Sequence, residues 1–333
     1  MASRSAITCQ CESFLTPSLR TGARSNLPFL LLMCFFLFAC RPATPPPPSD
    51  STQLAPATDS GVTSIAATPT PLSDEASLVR NAEYELGAGD VPQVIQLTDG
   101  KFEQGTPGGE DFISVSVTDF VATGDLNGDG SDEVAALVSE NYGGTGVFVF
   151  LAVYAQSEGR LAFQASRIVD DRPGLNALSI ANGEIFLDAL IHGPDEPMCC
   201  PTLRTTRHYR LVDNLLELTD YTSFTPDGRP RTITIEAPPD GSEVFSSVPI
   251  RGNVAIAPFE NNLAYRIYDL SGIELAAGPI MVTAPEMGAP GTFEAVIPLG
   301  NVLSGAVVRL EVQDISAADG SLLGMDSVEL VVK

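Results

Sequence analysis

The sequence is short of the residues on which most hydrolases depend. It holds two histidines, His192 and His208, in 333 positions. It has no Gly-x-Ser-x-Gly elbow, no His-Glu-x-x-His zinc motif and no catalytic-cysteine signature. Serine, zinc and cysteine chemistries therefore lack their usual parts, and only a paired-carboxylate enzyme survives the inventory. Positive charge is scarce as well. Eighteen Lys and Arg stand against 42 Asp and Glu, a net charge of −24. A surface so acidic argues against nucleic acid and against electrostatic adhesion to anionic headgroups, and suits a solvated protein compatible with divalent cations. Six cysteines are present, and their placement offers no disulfide framework, so the folded part must be held by its cores. Helical periodicity is weak, with 74–80 the one candidate. The apolar run 27–39 falls short of the ~20 residues of a comfortable membrane span.

What is there begins with that run. Arg20 and Arg24 precede it, and it ends on Leu37-Phe38-Ala39-Cys40. A basic flank, a short apolar core and a small residue at the processing point describe a secretory signal over 1–39. The ending resembles the lipobox of bacterial lipoproteins. The resemblance implies that Cys40 carries lipid as the first mature residue, anchoring an extracytoplasmic protein to the bacterial membrane. Losing 1–39 removes Arg4, Arg20 and Arg24 against Glu12 alone, so the mature chain is more acidic still. It also removes Cys9, Cys11 and Cys34. Residues 40–75 are rich in Pro, Thr and Ser, including Pro45 to Pro48. Such a segment builds no core and reads as a tether, extended at ~3.1 Å per residue.

From residue 76 the pattern is that of strands. Short β-branched and aromatic stretches, separated by Gly, Asn and Asp, predict strands at 94–97, 112–117, 134–138, 147–154, 161–166, 185–191 and 205–212. The 147–154 stretch is apolar on both faces and predicts a central, buried strand. His208 alternates with apolar residues and reads as a sheet residue. Asp213-Asn214 predicts a hairpin turn. The polar stretch 222–231, with its Pro and Gly, reads as a linker closing a β-rich domain over 76–221. A second strand series follows at 232–237, 248–256, 263–268, 274–282, 292–297, 306–312 and 327–332. Seven short strands at this spacing match an immunoglobulin-like sandwich. The fold class is mostly β, a β-rich domain followed by an immunoglobulin-like β-sandwich over 232–333.

The second series carries an ordered set of short motifs. They are Ile233-x-Ile235-x-Ala237-Pro238, Gly241-Ser242-x-Val244, Val248-Pro249-Ile250-Arg251-Gly252, Phe259-Glu260, Tyr268-Asp269-Leu270-Ser271-Gly272, Gly291-Thr292-Phe293 and Ser316-Ala317-Ala318-Asp319-Gly320-Ser321. Together they resemble the immunoglobulin-like domain of bacterial sporulation and spore-germination proteins. The resemblance implies an extracytoplasmic sandwich without established catalysis, and supplies no active-site residues.

The sharpest chemical motif lies in the first domain, Asp125-Leu126-Asn127-Gly128-Asp129-Gly130-Ser131-Asp132-Glu133. Asp125, Asn127, Asp129, the carbonyl of Ser131 and Glu133 are hard oxygen donors at the spacing of a Ca²⁺ loop, with Gly130 at the sharp turn. Ala136 stands where an EF-hand needs its bidentate Glu, so this is not an EF-hand. The loop looks like those of FG-GAP-type surface domains, although they usually carry Asp where Glu133 stands. The motif occurs once, whereas a propeller needs several blades. A loop that uses Asp, Asn and Gly only to turn and satisfy its own backbone is the competing reading. Asn141–Gly146 lacks the Lys-Ser/Thr ending of a phosphate loop and reads as a hairpin connection.

Cys199 and Cys200 are adjacent in the Pro-rich segment 192–201. The expectation is that they close a strained ring with each other in an oxidising compartment; staying free or pairing between molecules, or joining His192 and Asp195 on a soft metal, are the alternatives. A set comprising Asn81-Ala82-x-Tyr84, the 125–133 loop, the Gly143–Gly146 hairpin and Cys199-Cys200-Pro201 looks like uncharacterised bacterial lipoprotein domains. The functional expectation is a lipid-anchored, non-catalytic binding or structural module of the cell envelope, with an envelope protein or glycan as partner. A solute-binding lipoprotein with its pocket near the cysteine segment is the first alternative. A carboxylate-based hydrolase of an envelope polymer is the second.

Overall fold

A computed structural model describes residues 74–88, 92–157, 159–300 and 302–333, all within one unit of the chain, Ala67–Lys333. Cys40, the signal and the tether lie outside the described residues. After a short helix, α1 (Asp74–Val79), everything regular is strand apart from one 3₁₀ turn at Phe259–Asn261. A small antiparallel pair comes first, β1 (Glu83–Glu85) with β2 (Val94–Gln96). Five strands then form an antiparallel sheet in sequence order: β3 (Lys101–Gln104), β4 (Ile113–Gly124), β5 (Glu133–Asn141), β6 (Phe148–Ser157) and β7 (Arg160–Asp171).

This sheet is a middle layer, and the sequence shows why. Side chains alternate faces along a strand, so a strand apolar at every position must be covered on both sides. Val134, Ala136, Val138, Ala152 and Tyr154 pack one face against Tyr84, Ile95 and Leu97. Ala135, Leu137, Leu151 and Val153 pack the other against Ile185, Leu187 and Tyr209. The doubly apolar β6 is thus the buried strand that its sequence predicts. On the inner face Glu140 is fully buried, accepting hydrogen bonds from the Tyr84 and Tyr142 hydroxyls, the Gly87 N–H at 2.8 Å and the Ala88 N–H at 3.2 Å.

The next four strands meander antiparallel: β8 (Gly174–Ala181), β9 (Glu184–Ile191), β10 (Leu203–Val212) and β11 (Leu215–Ser223). Asp213 and Asn214 join the last two with φ of 46° and 61°, the left-handed pair of a type I′ turn.

The C-terminal sandwich comprises β12 (Ile233–Ala237), β13 (Ser242–Val244), β14 (Ser247–Val254), β15 (Asn262–Asp269), β16 (Glu274–Thr283), β17 (Gly291–Pro298), β18 (Val307–Ile315) and β19 (Leu322–Val332). One layer runs β12-β14-β17 and the other β16-β15-β18-β19, with β16 pairing into both and β13 lying parallel on β19. Val248, Ile250, Leu263, Ile267, Phe293, Leu310 and Leu330 fill the space between them.

The two strand-rich regions share a sheet. β11 pairs antiparallel with β19 through Asp220↔Asp326, Tyr221↔Met325 and Thr222↔Gly324. The 222–231 stretch, which reads as a linker, is therefore strand at its start. Thr222 and Ser223 are buried, and the Ser223 hydroxyl donates to the Leu323 carbonyl at 2.5 Å. These two polar residues look like loop because their hydroxyls match solvent as well as a neighbouring strand; the partner strand lies about a hundred residues away and leaves no local signal. Arg309 of β18 reinforces the junction, bonding Glu217 of β11 and, at 3.1 Å, Glu311 beside it.

Candidate functional site

A cleft of about 410 Å³ opens where β7, β9, β10 and β11 meet the β18–β19 connection. Strand alternation builds it. Along β10, Thr205, Arg207 and Tyr209 all point to the buried side, so an arginine takes a position where an apolar residue would otherwise stand. Its Nη1 donates to the Val169 carbonyl at 3.2 Å, while its buried Nε has no partner. The guanidinium lies 5.7 Å from the centre of the Tyr221 ring. Arg167 of β7 repeats the arrangement, donating to the Leu216 carbonyl at 2.7 Å and sitting 5.7 Å from the Tyr209 ring.

His192, at the end of β9, completes the wall. Its Nδ1 lies 2.9 Å from an Asp170 carboxylate oxygen, which also accepts the His192 backbone N–H at 2.6 Å. A carboxylate only accepts, so Nδ1 carries the proton and the ring orientation is fixed. The imidazole is 7% exposed, and its buried Nε2 has no partner. Ile168, Leu203, Leu218 and Leu322 supply apolar lining. Among the described residues, no carboxylate lines the cleft. Sequence reading missed Arg167, Arg207, Tyr209 and Tyr221. The available signal was the arginine inside an alternating strand, Thr205-x-Arg207-x-Tyr209.

The 125–133 loop comes together as a turn closed on itself. Asp125 accepts the N–H groups of Gly128 at 2.6 Å and Gly130 at 3.0 Å, and these bonds hold its carboxyl below the usual range. Asn127 Oδ1 accepts the Asp129 N–H at 2.8 Å, and Asp129 accepts the Ser131 N–H at 2.7 Å. Glu133 is buried, accepting the Leu126 N–H at 2.8 Å and the Asn127 amide at 2.9 Å; burial pushes its carboxyl upward. The all-oxygen donor set suits a hard cation, but its oxygens here engage the loop's own backbone. Among the described residues, no group of three or more His, Cys, Asp and Glu converges as a metal site.

Cys199 and Cys200 are exposed and stand unbonded in this structure. Glu196 holds their loop instead. It accepts the N–H groups of Gly193 at 3.0 Å and Thr202 at 2.9 Å together with the Thr202 hydroxyl. Those bonds, the hydroxyl foremost, hold its carboxyl down to about 2.

Near the β11–β19 seam, Asp220 and Asp326 stand directly opposite each other beside a small cavity of about 170 Å³. Asp326 accepts the N–H groups of Ile235 at 2.7 Å and Ser327 at 2.8 Å. Burial, then the Asp326 charge, pushes Asp220 up to about 7; burial pushes Asp326 up to about 6. His208 lies 3.2 Å from Glu184, whose carboxylate raises the imidazole's affinity for a proton. The two carboxylates form an acidic pair beside a cavity smaller than the ~300–1,000 Å³ of ordinary ligand pockets.

A larger groove of about 640 Å³ lies in the sandwich beside exposed Phe259 and Met287. Its cations are already matched, Arg229 with Asp227 at 3.0 Å and Arg231 with Asp314 at 3.6 Å. The smaller cleft, with two buried unpartnered nitrogens, has the stronger chemistry.

No curated protein matches the chain. Residues 232–321 match the family described as the immunoglobulin-like domain of bacterial spore germination, which is the region that β12 to β18 fold into a sandwich and β19 completes.

Proposed function

We infer that the immunoglobulin-like region serves as a binding or structural module. We propose that the whole chain is a lipid-anchored protein of the bacterial envelope that binds a protein or glycan partner and does not turn it over. The observation that carries the binding part of this reading is the immunoglobulin-like match at 232–321, which the shared β11–β19 strand pairing ties to the preceding strands. That pairing puts the two strand-rich regions in one sheet; the Cys40 anchor and the Pro-rich tether are read from the sequence alone. Loops and edge strands of such sandwiches meet partners while their interiors are filled by side chains. Growth with a labelled fatty acid tags the wild-type chain and leaves Cys40→Ser unlabelled and released from membranes. Equal labelling of both removes the anchor.

The proposal includes a structural Ca²⁺ at Asp125, Asn127, Asp129, Ser131 and Glu133, supported by the oxygen-only donor set. Extracellular modules bind Ca²⁺ at ~10⁻⁴–10⁻³ M. At ten times that constant, linkage adds about 1.4 kcal/mol. Melting then rises by a few degrees in millimolar Ca²⁺ for wild type and not for Asp129→Ala. A loop that only closes on its own backbone shows no rise in either protein.

The solute-binding reading is favoured by one observation, the cleft at His192, which borders the Cys199–Cys200 segment through Pro194.

A further inference from the structure

We propose that the cleft formed by Arg167, Arg207 and His192 binds a small organic anion with an acidic head and an apolar or aromatic body. The inference rests on the solute-binding reading above and names a ligand class for that cleft.

The first argument is charge. The chain carries 42 acidic residues against 18 basic ones, yet this cleft has two arginines, a histidine and no carboxylate in its lining. Neither guanidinium has a carboxylate within ion-pair distance among the described residues; they donate instead to the carbonyls of Leu216 and Val169. Arg167 is exposed, but Arg207 is buried, and a buried cation without a counter-charge is costly unless something supplies one. The second argument is unused hydrogen bonding. Arg207 Nε and His192 Nε2 are both buried and unpartnered, in side chains more than nine-tenths buried. Buried polar atoms of this kind are ordinarily satisfied, and both residues line the same cleft. Asp170 holds the His192 ring by Nδ1, which leaves Nε2 on the opposite side of the imidazole.

The third argument is shape. About 410 Å³ lies within the range of small-molecule pockets. Ile168, Leu203, Leu218 and Leu322 line it beside the Tyr209 and Tyr221 rings. The polar donors gather with these rings against an apolar wall, which selects a molecule with one charged end. Two guanidiniums and an imidazole favour a planar acid head over a cation or a neutral alcohol.

The test titrates the full chain, in a non-ionic detergent with matched blanks, with phenylpropionate, phenylpropanol and phenylpropylamine in a calorimeter. The acid binds at least about tenfold more tightly than the alcohol, the size of a charge-assisted contact, and the amine does not bind. Arg167→Gln, an exposed position, keeps the wild-type melting temperature and loses about tenfold in acid affinity, with the alcohol unaffected. His192→Asn, whose amide can still face Asp170, shifts the preference the same way. Equal affinity for acid and alcohol, no heat with the acid, or an unchanged acid-to-alcohol ratio in Arg167→Gln overturns the proposal. Chromatography of the recovered acid separates the two readings: unchanged acid supports both, whereas acid that binds and is consumed defeats the non-catalytic reading and leaves the anion preference standing.

Discussion

Raising the pH from about 5 to about 8 lowers the melting temperature, and Asp220→Asn removes much of that fall. Unfolded aspartates ionise near 3.9. In the fold, Asp220 and Asp326 hold their protons to about 7 and about 6. As pH rises past 4 the unfolded chain releases protons that the folded chain retains, so stability drains away until the folded carboxyls ionise too. His208 acts in the same direction. Glu184 raises its folded affinity for a proton, so its contribution is complete below the unfolded value and is lost as pH climbs through the folded one. A tenfold difference in proton affinity between folded and unfolded chain corresponds to about 1.4 kcal/mol. After allowance for mutual titration and partial solvation, the seam loses on the order of 2–4 kcal/mol. That corresponds to roughly 5–10 °C in a domain of this size. Scanning calorimetry of wild type and Asp220→Asn at several pH values reads it. A flat wild-type profile, or the same slope in both proteins, contradicts the half-buried pair.

Gly252→Ala prevents the sandwich from forming, or costs it about 3 kcal/mol or more. Gly252 lies in β14 opposite Ile235 on one side and Phe293 on the other. A Cβ built there falls 2.1 Å from the Thr234 carbonyl oxygen and 2.4 Å from the Phe293 ring. The first neighbour is backbone of the paired strand and cannot step aside without breaking the ladder, and the second is a core side chain. The exposed neighbour Arg251 is the control, and Arg251→Ala changes stability by less than about 0.5 kcal/mol. Urea unfolding followed by circular dichroism distinguishes them. Near-native stability of Gly252→Ala would mean that β12 and β14 do not pack as described. The same contact explains why the Val248–Gly252 motif ends in glycine.

Local pattern made much of this fold readable. The doubly apolar 147–154 stretch forecasts a buried strand because alternation leaves no exposed face. Asp213-Asn214 forecasts a tight turn because both residues tolerate positive φ. The seven-strand spacing after residue 231 forecasts the sandwich. The strands without a forecast are short or lack apolar alternation: β1 and β13 have three residues each, β3 is Lys-Phe-Glu-Gln, and β8 begins on Gly-Leu-Asn. The β11–β19 pairing is invisible locally because edge strands recognise each other through backbone groups that every residue carries. The cleft was obscured for a related reason. Arg167, His192, Arg207 and Tyr221 are spread over four sequence segments, and only sheet topology brings them to one wall. The oxygen-rich loop was legible as a set of donors, whereas the commitment of those oxygens to neighbouring N–H groups depends on geometry.

Binding without turnover is the central claim, and incubation of the purified full chain with isolated envelope glycan tests it most directly. The sedimented complex and the glycan fragments are then measured by mass spectrometry. The account predicts that the chain co-sediments with intact glycan or with a glycan-bound protein. Substitution of single exposed carboxylates weakens that binding only in small steps, and Asp220→Asn and Asp326→Asn release no less product than wild type because there is none. Released fragments that disappear in Asp220→Asn or Asp326→Asn, with the fold intact by circular dichroism, would contradict it and identify the seam carboxylates as an active site.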